Sequence, residues 1–484
     1  MKADAQLYAR GTSLVRPVTI YGTTTSRGVK RAEGATVLVP VEKPALVEVL
    51  TSLIDWQRFD GRKTDWKPVA CPPVVADTIL ARRGDWPFHQ LNAVVSAPTM
   101  RPDGTILNVP GFDYETGILF ASELTWPQVP DRPTMEEASD ALGHLEDLVE
   151  DFPFVDASDR AAALAMILTA LARPCLPSAP MFCVNAPTPG TGKSKLVDIA
   201  AILATGQTAS VLSAPREEAE MQKQLGATLM AGDAFITLDN IEYPLRSEFL
   251  CQVLTQGSVA VRVLGESRTL KLPTCATFCA TGNSLRIAGD LTRRVVMINL
   301  DAGMERPEER VFDVDVLETA RRQRVRLVTA ALTILRAFVA HRAPKIVPAL
   351  GSFEGWSNLV RSALMWLGKA DPLGNTEKVR ENDPERERTA SILSALPAGK
   401  DWTAAEIGKK IQQRPGLDAE DAEVREHEAL AEALGEFMER NGQFNAVRFG
   451  HFLRKHMGRI IDGKRIVSRG KDRNKIAMWA VEDI

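Results

Sequence analysis

Apolar and polar positions follow two rhythms along the chain, and the places where the rhythm changes divide it. Up to about residue 133, short runs such as "ATVLVPV", "LNAVVSA" and "TGILFA" read as strands separated by turn signals, "RPDG" and "GFDYETG". Residues 1–133 are therefore expected to form an N-terminal α/β or mainly β domain. At Thr134 the period lengthens: Thr134 with Glu137 makes a capping box that opens a helix to about residue 150, and residues 158–172 make a second. The core of that second helix, "AAALAMILTALA", is too short to span a bilayer and is bracketed by Arg160 and Arg173. A buried helix is expected, no membrane is involved, and residues 134–179 form a helical collar.

Residues 180–345 alternate strand and helix patterns. "MFCVN" reads as a buried strand, "KSKLVDIAAILA" as a helix, and "AFITLDNIE" and "TCATFCATGNS" as further apolar strands. Between the last two, "SVAVRVLGESRTLKLPT" is a hairpin carrying Arg262, Arg268 and Lys271. Residues 346–383 are a helical segment and a polar linker, within "GKADPLGNTEKVRENDPERE". From residue 384 come two short helices, a charged helix from about residue 419, "NAVRFGHFLRKHMG", and two strands joined by a basic loop, which together spell a winged helix. The fold class expected is α/β.

Composition narrows this further. A chain of 484 residues suits several domains, and a net charge of -3 excludes a uniformly basic nucleic-acid coat. Contacts to DNA must then come from local patches. The last segment supplies one, with Arg448, Arg454, Lys455, Arg459, Lys464, Arg465, Arg469, Lys471, Arg473 and Lys475 set against Asp462 and Asp472. Six cysteines without paired spacing, and no signal peptide, fit reduced thiols in a cytoplasm; Cys275 and Cys279 read as core. The tryptophans of the first segment, Trp56, Trp66, Trp86 and Trp126, are suited to stacking on bases but read as core.

The candidate chemistry lies in "NAPTPGTGKSKL". A strand, a glycine-rich loop and a helix place backbone N–H groups and a helix N-terminus together, which suits a triphosphate. Pro189, Gly190, Thr191, Gly192, Lys193, Ser194 and Lys195 are the expected nucleotide-binding residues, with Lys193 on the β- and γ-phosphates and Ser194 on Mg²⁺. Pro187 stands where the usual first glycine of this loop would be. Asp239, ending an apolar strand, is the second expected Mg²⁺ ligand. Asn240 follows it, where a glutamate often polarises the attacking water. Glu217, Glu218 and Glu242 are the candidate bases, and Asp233 sits at the wrong end of the strand. Asn283 ends the next strand, and the pair Arg293 and Arg294 follows; the first suits orienting water, the second stabilising transition-state charge.

The series "PTPGTGKS", "FITLDNI", "RVLGESRTLKLP", "CATGN" and "GDLTRRV" resembles the superfamily 3 helicase branch of the AAA+ ATPases, over about residues 138–341, and most of all the phage and mobile-element primase-helicases. The resemblance implies an AAA+ P-loop core, and a ring, expected to be a hexamer, with ATP between subunits. Lys193, Ser194, Asp239 and Asn283 would lie on one side and an arginine finger, Arg293 or Arg294, would come from the neighbour. It also implies a hairpin at Arg262–Lys271 that lines the pore and pulls single-stranded DNA, while the winged helix holds duplex. Such a protein is a DNA helicase or translocase for phage or mobile-element replication. The other reading is an ATP-switched initiator or loader that does not unwind. No zinc ribbon is present, and "DVDVLE" reads as a helix start, so priming is left to a separate primase or polymerase.

Overall fold

In a computed structural model, the described residues are 6–26, 28–263, 269–312, 314–413 and 421–484. They fall into two compact units, one of residues 1–285 with 293–377 and one of residues 286–292 with 378–484.

The larger unit is built on a seven-stranded sheet. Its order is Val295–Asn299, Met181–Ala186, Thr277–Asn283, Phe235–Ile241, Ser210–Ser213, Val29–Arg31 and Thr24–Ser26. The first five strands are mutually parallel and the last two antiparallel. Parallel strands need crossover helices that cover both faces, so they are apolar throughout, as in Met181–Ala186 with its buried Phe182, Cys183 and Val184. That strand sits between the fourth and fifth parallel strands in chain order. The order therefore reverses beside its carboxyl end, which is where open α/β sheets leave a crevice for ligands.

The two helices of the collar segment pack onto this sheet unit. Met135–Leu148 opens with the Thr134–Glu137 capping box, both of its reciprocal bonds being present, and Ala157–Ala172 opens with a second box, Asp156 with Asp159. Residues Ala161–Leu168 of the latter are buried all round, as an apolar helix requires. Of the stretch read as a linker, Asp371 is bidentate to the buried Arg361 guanidinium, and Asn375 donates to Asp159, so its first part is folded. The helix expected to run on from residue 313 is two helices, Val316–Arg322 and Arg324–Ala340; Asp315 caps the first through Leu317 N–H, and Asp313 lies outside the described residues.

The first 133 residues do not stand apart from the core. Strands Thr24–Ser26 and Val29–Arg31 extend the central sheet at its edge, and Arg31 reaches the start of the Asp239 strand. Its Nε donates to Asp233 Oδ1 at 2.8 Å, Ser210 Oγ donates to the same oxygen at 2.8 Å, and both charged side chains are buried. Removing one partner leaves the other charge buried without compensation, which costs about 3–5 kcal/mol. Asp233→Ala is thus expected to lower the melting temperature sharply, and the paired replacement Arg31→Met with Asp233→Leu much less. Equal losses from the single and paired changes in thermal denaturation would contradict this.

The smaller unit carries helices Pro384–Ala395, Ala404–Gln412, Asp421–Ala433 and Ala446–His456, followed by the antiparallel pair Lys464–Lys471 and Ala477–Asp483. The start of the charged helix expected from about residue 419 falls outside the described residues. Phe437, Phe449, Leu453, Ile466 and Trp479 form its core. Among the described residues no helix is long and apolar enough to cross a membrane, and no group of His, Cys, Asp or Glu is arranged to hold a metal ion by itself.

Candidate nucleotide site and candidate nucleic-acid surfaces

The loop after Met181–Ala186 turns into the helix Lys193–Thr205 through two left-handed residues, Gly190 at φ +77° and Gly192 at φ +100°. A side chain at 190 would also collide with Glu308, whose Oε2 lies 2.9 Å from where a Cβ would be. Glycine is required at these two positions and at neither side of them. Pro187 is outside the left-handed stretch, so a ring that fixes φ near the ordinary negative value is accommodated.

Lys193 sits at the first turn of that helix with its ammonium folded into the loop. Nζ donates to Thr188 O at 3.1 Å and to Asn283 Oδ1 at 2.7 Å. Partial burial lowers its pKa, and the nearby Asp239 carboxylate works against that shift. A lysine ammonium carries three donors, so one more is available to an anion in the crevice. Asn283 and Lys193 come from sequence positions 90 apart and meet because their strands are adjacent and in register, Ala186 opposite Asn283.

Asp239 lies near the carboxyl end of the next strand over, Phe235–Ile241, and Thr281, which sequence reasoning missed, holds it. The Thr281 hydroxyl donates to Asp239 Oδ1 and accepts the Asn240 N–H at 3.2 Å. The pairing with the Asn283 strand slips between Leu238 and Ile241, and within that irregularity Asn240 adopts φ +53°. Asparagine enters this left-handed region more readily than glutamate, which gives a backbone reason for the residue found there. The candidate bases divide. Glu218 is committed elsewhere, since its Oε1 accepts from Ser247 Oγ at 3.1 Å and Phe249 N–H at 2.8 Å at the start of the helix Glu248–Thr255. Glu217 is the N-cap of the helix Glu218–Ala231, while Glu242 accepts from Asn240 Nδ2 at 3.3 Å. Only Glu242 is tied directly to the irregularity. Asp233 is occupied by Arg31 and Ser210.

Ser194 and Lys195 are exposed at the mouth of the loop. The hydroxyl of Ser194 and the carboxylate of Asp239 are oxygen donors, the set a hard divalent cation takes. Beside the loop, Phe152, Gly192, Lys195, Glu308, Arg310 and Phe312 line a cleft of about 300 Å³. A chain of amides steadies the strand ends around it: Asp159 Oδ1 accepts from Asn299 N–H and Nδ2, Asn299 Oδ1 accepts from Asn185 Nδ2, and Asn185 Oδ1 accepts from Leu285 N–H. Burial pushes Asp159 up to about 6.

The arginine pair separates. Arg294 is buried, with its carbonyl accepting the Met181 N–H at 3.0 Å, whereas Arg293 is exposed. In the hairpin, Ser258–Arg262 pairs with Thr269–Pro273; Val259, Val261, Leu270 and Leu272 face inward, while Ala260, Arg262, Thr269 and Lys271 share the exposed face. The tip and Arg268 lie outside the described residues.

In the smaller unit, the helix Ala446–His456 buries Phe449, Phe452, Leu453 and His456 and exposes Arg448, His451, Arg454 and Lys455. Lys471, Arg473 and Lys475 are exposed around the strand connection, and Lys464 is half-buried. Two expected phosphate contacts are instead engaged within the sheet: Glu482 accepts from Arg465 Nη2 at 2.8 Å and from Arg469 Nη2 at 2.8 Å. Glu482 lies opposite Arg465 across the strands, an acid the charge tally of this region left out.

No protein-family model and no curated protein matches the chain. Among solved structures it is similar to the apo C-terminal region of NrS-1, at 11% identity over 90% of this chain and 98% of that one, with a TM-score of 0.36. It is also similar to a structure described as SCCmec type IV Cch, active helicase, at 11% identity over 99% and 98% of the two chains, TM-score 0.34. The JCV helicase gives 12% identity over 52% of this chain and 74% of that one, TM-score 0.22. Superpositions this loose carry no functional argument, and the functional reading stands on the local geometry of the crevice.

Proposed function

We propose that the chain is an ATP-dependent, ring-forming DNA helicase or translocase that serves replication of a phage or mobile element. The observation that supports this most is the meeting of Lys193, Asn283 and the Thr281-held Asp239 at the carboxyl ends of three adjacent parallel strands. Lys193 and the N–H groups of residues 190–194 would hold the triphosphate, with the base in the adjoining cleft. Mg²⁺, held by Ser194 and Asp239, would supply charge neutralisation at the phosphates. Asn283 would orient the attacking water, and Arg293 would reach the nucleotide of a neighbouring copy. The hairpin is inserted in the chain between the Asp239 and Asn283 strands, so its Arg262 and Lys271 would feel the nucleotide state and grip a DNA backbone. The smaller unit would be a winged helix, with Arg448, Arg454 and Lys455 on the groove-facing helix and Lys471 and Arg473 on the wing.

A second reading, an ATP-switched initiator or loader, is favoured by Asn240, which puts no carboxylate at the position next to Asp239. Unwinding separates the two. On a forked duplex with ATP, the motor displaces a strand and Arg262→Ala with Lys271→Ala abolishes displacement; ATP-dependent binding without displacement leaves the switch.

A further inference from the structure

At the end of the central sheet opposite the Lys193 crevice lies a cavity of about 80 Å³. Its wall takes Arg10, Thr36 and Asn92 from the N-terminal segment and Arg173, Ser210 and Asp233 from the core. Ser210 and Asp233 stand at the amino ends of their strands, and Arg173 Nε donates at 3.0 Å to Ala276 O, just before the strand Thr277–Asn283. The cavity is thus at the amino ends of three adjacent parallel strands. The seven residues of Phe235–Ile241 separate it from the crevice by roughly 20 Å.

Arg10 is the member of this wall whose donors the fold leaves unspent. It ends the strand Tyr8–Arg10 and is 5% exposed. Nη2 donates to Leu229 O at 2.9 Å, but Nε and Nη1 are buried with no partner among the described residues. Gly232, in the same wall, leaves room at Nη1, since a Cβ there would lie 2.6 Å from it. A guanidinium carries five donors, and a buried donor left unmade costs more than a made one contributes.

Charge points the same way. Arg173, 3% exposed, is bonded to the carbonyls of Leu176, Thr274 and Ala276. Arg324, 8% exposed, lies over the Trp126 ring and donates to Leu203 O and to the carbonyls of two wall residues, Ser96 and Ala204. Among the described residues none of these three guanidiniums meets a carboxylate at ion-pair distance, and Asp233 is committed to Arg31. The helices Ala157–Ala172, Lys193–Thr205 and Glu218–Ala231 all end at this wall, each equivalent to about half a negative charge, which falls short of three full positive ones. Burial lowers the Arg10 pKa to about 10, although Cys275 and Asp233 work against the shift.

We infer that this cavity is a binding site for a small oxyanion of the phosphate type, held chiefly by Arg10, which ties the N-terminal segment to the sheet. The volume is several times the roughly 10–15 Å³ that one water needs, and well below the roughly 300 Å³ at which pockets take larger organic ligands. Water would satisfy the donors and leave the charge; an oxyanion does both. The inference does not depend on the proposed function.

Equilibrium dialysis with radiolabelled inorganic phosphate, at an ionic strength fixed with potassium chloride, tests this. Lys193→Ala serves as the starting protein, because the crevice would also take phosphate. A single saturable phosphate per chain is expected. Adding Arg10→Met, which keeps the side chain's bulk and removes its donors and charge, is expected to weaken binding by at least about tenfold. Surface cations would bind weakly and be indifferent to that change. Should the Arg10→Met protein fail to fold, crystals that retain Arg10, soaked in selenate, decide the matter: selenium located beside the guanidinium by anomalous scattering supports the site. No saturable phosphate in the Lys193→Ala protein, equal affinity after Arg10→Met, or ordered water alone beside Arg10 in those crystals overturns the inference.

Discussion

Lys193→Ala is expected to lower ATP turnover by roughly a hundredfold or more, the loss of several kcal/mol of transition-state stabilisation. The lysine is the one cation that the loop itself folds into the crevice, held between Thr188 O and Asn283 Oδ1 at hydrogen-bond distance. Its partial desolvation matters here, because an ammonium with few waters to shed interacts more strongly with an arriving phosphate than one in bulk solvent. Alanine leaves the helix start intact, since the left-handed turn depends on Gly190 and Gly192 rather than on position 193. The variant should therefore melt like the parent while hydrolysis fails. Turnover within a few-fold of the parent, measured by phosphate release, would remove Lys193 from the chemistry.

Arg293→Ala should be comparably severe, by a different route. An arginine that completes a neighbour's site contributes about 10³-fold or more to turnover, while nucleotide binding at the copy that lacks it survives. Copies carrying Arg293→Ala and copies carrying Lys193→Ala are each expected to be inactive alone. Mixed in one ring, some sites acquire an intact Lys193 and a neighbour's intact Arg293, and turnover returns in part. Arg294→Ala is expected to act on the fold instead, lowering the melting temperature, because that side chain is buried at the start of the Val295–Asn299 strand. Recovery by mixing with Arg294→Ala copies, and none with Arg293→Ala, would reverse the two roles.

The parts of this account that were legible in the sequence are those with short-range causes. An apolar run, two glycines and a helical period suffice for the strand, turn and helix around Gly190 and Gly192, and capping boxes announce helix starts wherever they occur. Asp239 and Asn283 were legible as strand ends because parallel strands are apolar until they stop. What escaped depends on partners far along the chain. The strands Thr24–Ser26 and Val29–Arg31 are too short and too polar to signal that they complete the central sheet, and their anchor, Arg31 on Asp233, joins residues 202 apart. Thr281 looked like a strand residue until its neighbour was seen to be Asp239. Glu218 looked like a possible base until its carboxylate was found on the helix start at Ser247. Arg293 and Arg294 are identical to composition and pattern, and only burial separates them. Arg465 and Arg469 raised the basic tally although Glu482, across the strand, engages both.

Asn240 bears on the proposed function most closely, because under it this residue determines whether the crevice would hydrolyse nucleotide or only bind it. The irregularity between Leu238 and Ile241 leaves the exposed Glu242 carboxylate accepting from the Asn240 side-chain amide at 3.3 Å. The measurement that tests the account most directly is steady-state ATP turnover by the intact protein with and without single-stranded DNA. Hydrolysis is expected to rise when DNA is added and to be eliminated by Lys193→Ala. Nucleotide binding with negligible turnover, unchanged by DNA and restored by Asn240→Asp, would contradict it and leave an ATP-switched DNA-binding protein.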